Sequence, residues 1–402
     1  MKGAKKVFNM WQLMALGILA LFLIFVVLPL GMILYKSIIM NDGSISLAYF
    51  AKFFSKKYYW STLVNSFKVT IVSTLVSAVL GLIMAYLLRS INIAGSRWLN
   101  ILIVISYLSP PFIGAYAWIQ LLGRNGFITR ILNSMLNTKL GGIYGFSGIV
   151  LVFSLQSFPL VYMYVSGALK NMDNSLNEAA ESLGCSVVQR VWKVIVPLVT
   201  PTLLASSLLV FMRVFSDFGT PMLIGEGYKT FPVLLYSQFM GEVSTDDHYA
   251  AALCVIVIGI TLILFFLQKY IGNRLTYSMS ALKPMEPQKV SGFKNVIAHI
   301  FVYLVVFVAI LPQITVVVTS FLETRGASYT GKFTLQNYKN ILMPKNINII
   351  TNTYVFGIVA IILVVVLGVL ISYLTVRKKS VLTTIIDTLT MFPYIIPGSV
   401  LG

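Results

Sequence analysis

Apolar residues are gathered along this chain into continuous blocks, which shorter polar segments separate. A helix needs about 20 apolar residues to cross the hydrocarbon core of a bilayer, because each residue rises about 1.5 Å. Backbone groups in lipid must bond to one another, and the blocks lack the alternation of a transmembrane β-barrel. The pattern therefore predicts an all-α transmembrane protein, a polytopic helical bundle of about nine spans. The blocks lie at 11–35, 62–88, 98–122, 146–169, 200–224, 248–268, 297–320, 349–376 and 381–402.

Composition supports this class and excludes most others. Of 402 residues, 58% are hydrophobic and 10% are charged, whereas a soluble domain carries about 25% charged residues. The net charge of +18 is spread over the loops, which favours membrane lipids with anionic head groups over nucleic acid as partners. The apolar run from Trp11 to about Leu34 is too long for a signal peptide, so we expect a retained first span.

Matching residues in two parts of the chain indicate an internal repeat. Asn65, Gly81 and Tyr86 recur at one constant spacing as Asn352, Gly368 and Tyr373, and Leu28-Pro29 recurs as Leu311-Pro312. The repeat predicts a first half at 1–272 with six spans, a cytoplasmic linker at 273–296 and three spans of a second half at 297–402. Chance likeness between two apolar sequences is the alternative.

A polar loop at 170–200, KNMDNSLNEAAESLGCSVVQRVWKVIVPLVT, separates the fourth block from the fifth. Asn174 or Ser175 is expected to cap a short helix, which Gly184 would end in a left-handed turn. Ser186 is expected to cap a second helix. The loop is therefore predicted to be a helix–turn–helix that lies across the membrane surface.

The spacing within this loop resembles the EAA loop in the permease subunits of binding-protein-dependent ABC importers of type I. The residues that carry the resemblance are Glu178, Ala179, Ala180, Gly184, Val194, Val196 and Pro197. Val194 and Val196 replace the isoleucine and leucine of the family pattern, and an ordinary cytoplasmic loop is the alternative. The resemblance implies a MetI-like permease fold and a coupling helix that docks in a groove of a cytoplasmic ATPase.

The same resemblance implies the remaining parts of an importer that works by alternating access. The expected partners are a cytoplasmic ATPase dimer, which would hold ATP and Mg²⁺, and an extracellular or periplasmic substrate-binding protein. No cofactor is expected on this chain, and no enzyme activity. The location would be a bacterial inner (cytoplasmic) membrane, with multiple passes and a cytoplasmic N-terminus.

Segments 215–225 (FSDFGTPMLIG) and 238–242 resemble the iron(III) branch of these permeases, so ferric iron is the expected substrate. A polyamine or aminoethylphosphonate is the alternative substrate. Some of these permeases fuse both halves in one chain, and a second coupling loop is then expected beyond Gly402, in a C-terminal part that this sequence lacks.

Ionisable residues and prolines within the blocks are the candidates for a pore or gate, because charges at membrane depth are costly and usually face the bundle interior. Arg213 and Asp217 stand four residues apart, which predicts either a pore pair or a structural ion pair. Asp387 has no visible partner. The full set of candidates is Arg213, Asp217, Asp387, Pro110, Pro111 and Pro397.

Other functional classes find less support in the sequence. No metal site is predicted, since His248 and His299 are isolated, and no nucleotide-binding or hydrolase motif occurs. A secondary transporter also shows internal repeats and broken helices, but its repeats are often inverted, whereas six spans per half give parallel repeats. A channel or membrane scaffold is the third alternative, and no filter-like motif supports it.

Overall fold

A computed structural model of the chain describes residues 10–40, 42–139, 141–240, 246–274, 287–326 and 328–396. Contacts divide it into a larger unit of 52–244 with 260–317, and a smaller unit of 1–51, 245–259 and 318–402. The division into halves that the repeat predicts stays a prediction, and residues 275–286 of its linker lie outside the described residues.

Helices make up most of the described chain. From the N-terminus they are α1 (Met10–Phe22), α2 (Leu28–Ile38), α3 (Ala48–Ser55), α4 (Lys57–Ser90), α5 (Ser96–Tyr107), α6 (Pro111–Leu122), α7 (Phe127–Leu136), α8 (Phe146–Lys170) and α9 (Ser175–Ser182). They continue with α10 (Val187–Arg190), α11 (Val196–Ser216), α12 (Gly219–Ile224), α13 (Phe231–Met240), α14 (Asp247–Arg274), α15 (Phe293–Ser320), α16 (Gln336–Ile341), α17 (Pro344–Arg377) and α18 (Val381–Ile395). Short π-helical turns at Leu23–Val27 and Val191–Ile195 join α1 to α2 and α10 to α11.

Seven helical segments of the described residues are long and apolar enough to cross a membrane. They are Met10–Ile38, Lys57–Ser90, Phe146–Lys170, Val187–Ser216, Asp247–Leu267, Phe293–Ser320 and Pro344–Arg377. The third predicted block is a bent pair of helices, and the ninth is the shorter apolar helix Val381–Pro393. The predicted all-α transmembrane class is confirmed.

Two prolines cause the bend in the third block. The segments Ser96–Tyr107 and Pro111–Leu136 meet at 104°. Pro110 has an extended backbone (φ −58°, ψ 139°) because the ring of Pro111 clashes with a helical conformation at the preceding residue. Pro111 then begins α6, where its missing N–H costs nothing. Pro393 lies inside α18, which continues to Ile395, and the candidate Pro397 lies outside the described residues.

The packed centre of the larger unit is formed by α4, α8 and α11. Small and hydroxyl residues allow membrane helices to approach closely, and those on α4 are buried here: Ser66, Thr70, Ser73 and Ser77. The Ser77 hydroxyl donates to the backbone carbonyl of Ser154 on α8 at 3.3 Å. The contact between these two long helices therefore depends on small side chains.

The smaller unit joins α1 to α17 and α18. The rings of Trp11 and Tyr373 lie 4.8 Å apart, and Ala15, Ile18 and Leu374 are buried beside them. A bulged antiparallel hairpin, β1 (Leu322–Arg325) and β2 (Ser328–Phe333), precedes α16. This arrangement places the first predicted span beside the last two.

Candidate functional site: coupling loop and translocation pathway

The first helix of the loop, α9, begins differently from the prediction. Asn174 has helical backbone angles (φ −68°, ψ −18°) and no capping bond from its side chain; its amide donates instead to Glu178 Oε1 at 2.9 Å. The Asp173 carboxylate accepts the backbone N–H of Ser175 at 3.0 Å. Asp173 thus satisfies an N–H at the start of α9, and the expected cap by Asn174 or Ser175 is wrong.

The end of α9 matches the prediction. Gly184 has φ +80°, in the left-handed region where a side chain is strained. The N–H of Cys185 bonds to the carbonyl of Ala180 at 3.0 Å, and the N–H of Gly184 bonds to that of Glu181 at 2.9 Å. These two bonds form a Schellman motif, which satisfies carbonyls that the helix end leaves free.

The second helix, α10, begins with the predicted serine cap. The N–H of Gln189 bonds to Ser186 Oγ at 3.4 Å, and the N–H of Ser186 bonds to Gln189 Oε1 at 2.9 Å. This reciprocal pair is a capping box. Arg190 at the end of α10 forms an ion pair with Glu181 of α9, so a charge contact also holds the two helices together.

Apolar side chains of the loop face outward. Leu183 is 85% exposed and Trp192 is 66% exposed, and Val187 and Val188 between them are exposed as well. Ala180 is buried. Several exposed apolar side chains on a short polar loop are typical of a site for protein interaction.

The remaining residues of the EAA pattern lie along and after the loop. Glu178 is half-buried and Ala179 is exposed, both on α9. Val194 and Val196 are half-buried and Pro197 is exposed, where the π-helical turn passes into α11. The helical path is continuous from Val187 to Ser216, so the loop is joined directly to the fifth span.

Arg213 and Asp217 do not form the predicted pair. Helix α11 ends at Ser216, so Asp217 leaves the helical face that Arg213 occupies. Asp217 Oδ1 accepts the N–H of Thr220 at 3.0 Å at the start of α12, whereas the Arg213 guanidinium lies 4.3 Å from the ring centroid of Tyr107. No ion pair joins the two among the described residues. The fifth predicted span, 200–224, is accordingly broken at Asp217.

Arg213 reaches the neighbourhood of the bend in the third block. Its ring partner, Tyr107, ends α5 immediately before that bend. Within the described residues, Arg213 Nη1 is buried without a hydrogen-bond partner. The structure thus brings Arg213 to the same region as Pro110 and Pro111, and a role for these three in the pathway stays a prediction.

The other candidates are not brought to this place by any described contact. Asp387 is exposed on α18 in the smaller unit. His248 Nδ1 lies 2.9 Å from the carbonyl of Lys36. The N–H of Ala94 donates to His299 Nε2, and His299 Nδ1 lies beside the carbonyl of Asn295. Among the described residues, no group of three His, Cys, Asp or Glu could hold a metal ion.

Residues 77–277 match the family described as binding-protein-dependent transport system inner membrane component. The chain belongs to this family. The match includes the whole loop at 170–200, and it assigns the chain to these permeases rather than to the secondary transporters, the channels or the scaffolds.

Individual relatives of this permease include ferric and molybdenum transporters. It is 28% identical over 398 residues to the ferric transport system permease protein FbpB of Actinobacillus pleuropneumoniae, covering 96% of this chain and 57% of that protein. A putative ferric permease of Haemophilus influenzae is 27% identical, with 62% of its length covered. The molybdenum transport permease ModB of Haemophilus influenzae is 30% identical over 215 residues, which are 52% of this chain and 92% of ModB.

The fold of this permease resembles that of a solved transporter. A chain of the bacterial alginate ABC transporter, in complex with a pentasaccharide-bound periplasmic protein, matches with a TM-score of 0.54 and 14% identity. The match covers 66% of this chain and 95% of that one, which supports the permease fold. The permease spans about 57% and 62% of the length of the two ferric relatives.

Sequence reasoning missed three contacts at the site of this permease: the Asp173 carboxylate at α9, the Arg190–Glu181 ion pair and the packing of Arg213 on Tyr107. The sequence DNS, with Asp two residues before the accepted N–H, signals an Asx-type turn and makes the first contact readable. The other two join residues that separate elements bring together, and no local pattern points to them.

Proposed function

We propose that this permease forms part of the transmembrane pathway of an ATP-driven importer, and that its loop at 170–200 transmits the motion of a cytoplasmic ATPase. The observation that carries this is the exposed apolar surface of Leu183, Val187, Val188 and Trp192 on a helix–turn–helix. The Schellman motif, the capping box and the Arg190–Glu181 pair stiffen that element, so a force on it is transmitted rather than absorbed.

The mechanism follows from the continuity of the loop with the fifth span. A displacement of α10 passes through the turn at Val191–Ile195 into α11, because backbone hydrogen bonding is helical throughout. The far end of α11 carries Arg213, which lies against Tyr107 at the bend of the third block. Movement of the loop would therefore reposition the residues at that bend, as alternating access requires.

The other components complete the proposed cycle. Two ATPases that bind ATP and close together would draw the coupling loops together and open the pathway outward, where a substrate-binding protein delivers its load. Release of the products of ATP hydrolysis would separate the loops again and close the pathway to the outside. The chain is proposed to lie in a bacterial inner membrane, with this loop and the N-terminus in the cytoplasm.

Ferric iron is the proposed substrate. The ferric relatives extend over 96% of this chain, whereas an aminoethylphosphonate permease of Salmonella typhimurium covers 66% of it at 27% identity. Aminoethylphosphonate is therefore the second candidate. Deletion of the gene should abolish uptake of radiolabelled ferric iron and leave uptake of aminoethylphosphonate unchanged. Restoring the gene should recover the uptake of iron. Loss of aminoethylphosphonate uptake alone would overturn the iron proposal and make aminoethylphosphonate the substrate.

The coupling role is tested by the exposed leucine of the loop. Leu183→Asp places a charge on the apolar surface, which should reduce co-purification of the ATPase several-fold, since desolvating a charge at an interface is costly. Leu136→Asp is the matched control, because Leu136 is an exposed leucine of α7 outside the loop. Unchanged co-purification with Leu183→Asp at equal expression would overturn the proposed docking surface.

A further inference from the structure

A cavity of about 440 Å³ lies beside the coupling loop within the larger unit. Four segments line it: the C-terminal end of α4, the loop, the stretch 287–290 and the beginning of α15. The proposed function uses Val187 and Arg190 of this lining but assigns no role to the cavity itself. None of the candidate pathway residues lines it.

The wall formed by 287–290 is held in place by backbone hydrogen bonds. The N–H of Gln288 donates to the carbonyl of Ser90 at 2.9 Å, and the N–H of Asn92 donates to the carbonyl of Gln288 at 3.0 Å. These bonds form a short parallel bridge at the end of α4. The cavity is therefore built by the tertiary structure, because residues distant in sequence are joined to form it.

One part of the lining is polar and basic. Arg190 and Lys294 are the cationic side chains, and the amides of Asn174 and Asn177 lie on the same lining. Among the described residues, no carboxylate lines the cavity. Arg190 is paired with Glu181, whereas Lys294 is exposed in the first turn of α15, where the backbone N–H groups of the helix also favour an anion.

Most of the remaining lining is apolar, and much of it belongs to two membrane helices. Ile83 and Leu87 project from α4, and Ile297 and Phe301 project from α15. Ile83 and Ile297 are both exposed. We expect them to face hydrocarbon chains, because α4 and α15 are each long and apolar enough to cross a membrane. A site with a cationic end and a hydrocarbon-facing end matches an amphiphile with an anionic head.

We propose that this cavity binds one anionic glycerophospholipid, with its phosphate at Lys294 and Arg190 and its acyl chains along α4 and α15. The lipid would come from the leaflet on the side of the coupling loop, an assignment that rests on the proposed function. Basic pockets between membrane helices at the membrane interface bind anionic head groups. Free inorganic phosphate has no apolar part that could contact the apolar walls. Bound lipid would brace the loop against 287–290.

In the test, the purified protein in detergent is incubated with equal amounts of phosphatidylglycerol and phosphatidylcholine. Native mass spectrometry then measures how much of each lipid stays bound to the protein. The wild type should retain phosphatidylglycerol in preference. Lys294→Gln should lower that retention about fivefold, and Lys294→Arg should keep it. Arg97→Gln is the matched control, since it removes one exposed cation next to α4 outside the cavity, and it should change nothing.

Three outcomes would overturn the site: equal retention by the wild type and Lys294→Gln, an equal loss with Arg97→Gln, or displacement of the lipid by excess inorganic phosphate. Elution of each variant as one folded species in size-exclusion chromatography excludes misfolding. The readout involves neither ATPase nor substrate, so its failure leaves the proposed function standing, and failure of ATPase docking leaves the lipid site standing.

Discussion

At Gly81, α4 packs directly on α8. A Cβ atom built there would lie 2.6 Å from Val161 Cβ and 3.0 Å from the carbonyl oxygen of Phe158. Real Cβ atoms essentially never show a contact as short as 2.6 Å, and the tight contact at 3.0 Å is to backbone, which cannot rotate away. The lack of space therefore requires glycine at this position, although the helical backbone angles there would allow any residue.

Gly81→Ala should force α4 and α8 apart and destabilise the protein by about 1–3 kcal/mol, the usual cost of overpacking. Gly167→Ala is the matched control on α8, because nothing lies within 4 Å of the added Cβ. Thermal unfolding in detergent should show a lower midpoint for Gly81→Ala only. Equal midpoints for both variants would show that the helices can adjust at no cost.

Arg213 and Asp217 have separate partners, Tyr107 and the N–H of Thr220. Exchanging the two charges should therefore fail to rescue the single variants Arg213→Asp and Asp217→Arg, because no mutual contact is restored. Asp217→Asn, which keeps an oxygen acceptor for Thr220, should fold like the wild type. Folded yield by size-exclusion chromatography measures this, and recovery in the exchanged double variant would demonstrate an ion pair after all.

At the scale of elements, the coupling loop is held by bonds within its own short stretch of sequence. The turn at Gly184 depends on backbone conformation and not on space, since nothing lies within 4 Å of a Cβ added there. Its Schellman bonds and the capping box of Ser186 lie on either side of Cys185. Disturbing the turn should therefore change the angle between α9 and α10 without affecting the packing of the membrane helices.

Gly184→Val should strain the turn by about 1–2 kcal/mol, the cost of a side chain in the left-handed region. Gly184→Asn should be tolerated, because asparagine adopts this region more readily. Hydrogen exchange in a peptide covering α9 and α10 should rise for the valine variant, and co-purification of the ATPase should fall with it. An asparagine variant that behaves like the valine variant would assign the effect to the side chain and not to φ.

At the scale of the molecule, apolar helices place the loops on two sides of a membrane, and the proposed function puts the coupling loop in the cytoplasm. Chemical labelling of the two cysteines can determine on which side of the membrane the loop lies. Cys185 lies in the loop and is partly exposed, and Cys254 is buried within α14.

A membrane-impermeant maleimide should label Cys185 in inside-out vesicles and not in intact spheroplasts. Cys185→Ser should remove the labelling, and Cys254→Ser should leave it unchanged, because burial protects the second thiol. Labelling of Cys185 from the outside of spheroplasts would reverse the proposed orientation.

The sequence by itself determined the helical membrane class and the turns of the coupling loop. Continuous apolar blocks demand helices, since lipid offers the backbone no hydrogen-bond partner, and the turn at Gly184 and the cap at Ser186 follow from preferences that act over a few residues. Tertiary structure alone decided the tight contact at Gly81, the place of Arg213 on Tyr107 and the cavity beside the coupling loop. These depend on which distant helices become neighbours and how closely they approach, which no local preference encodes.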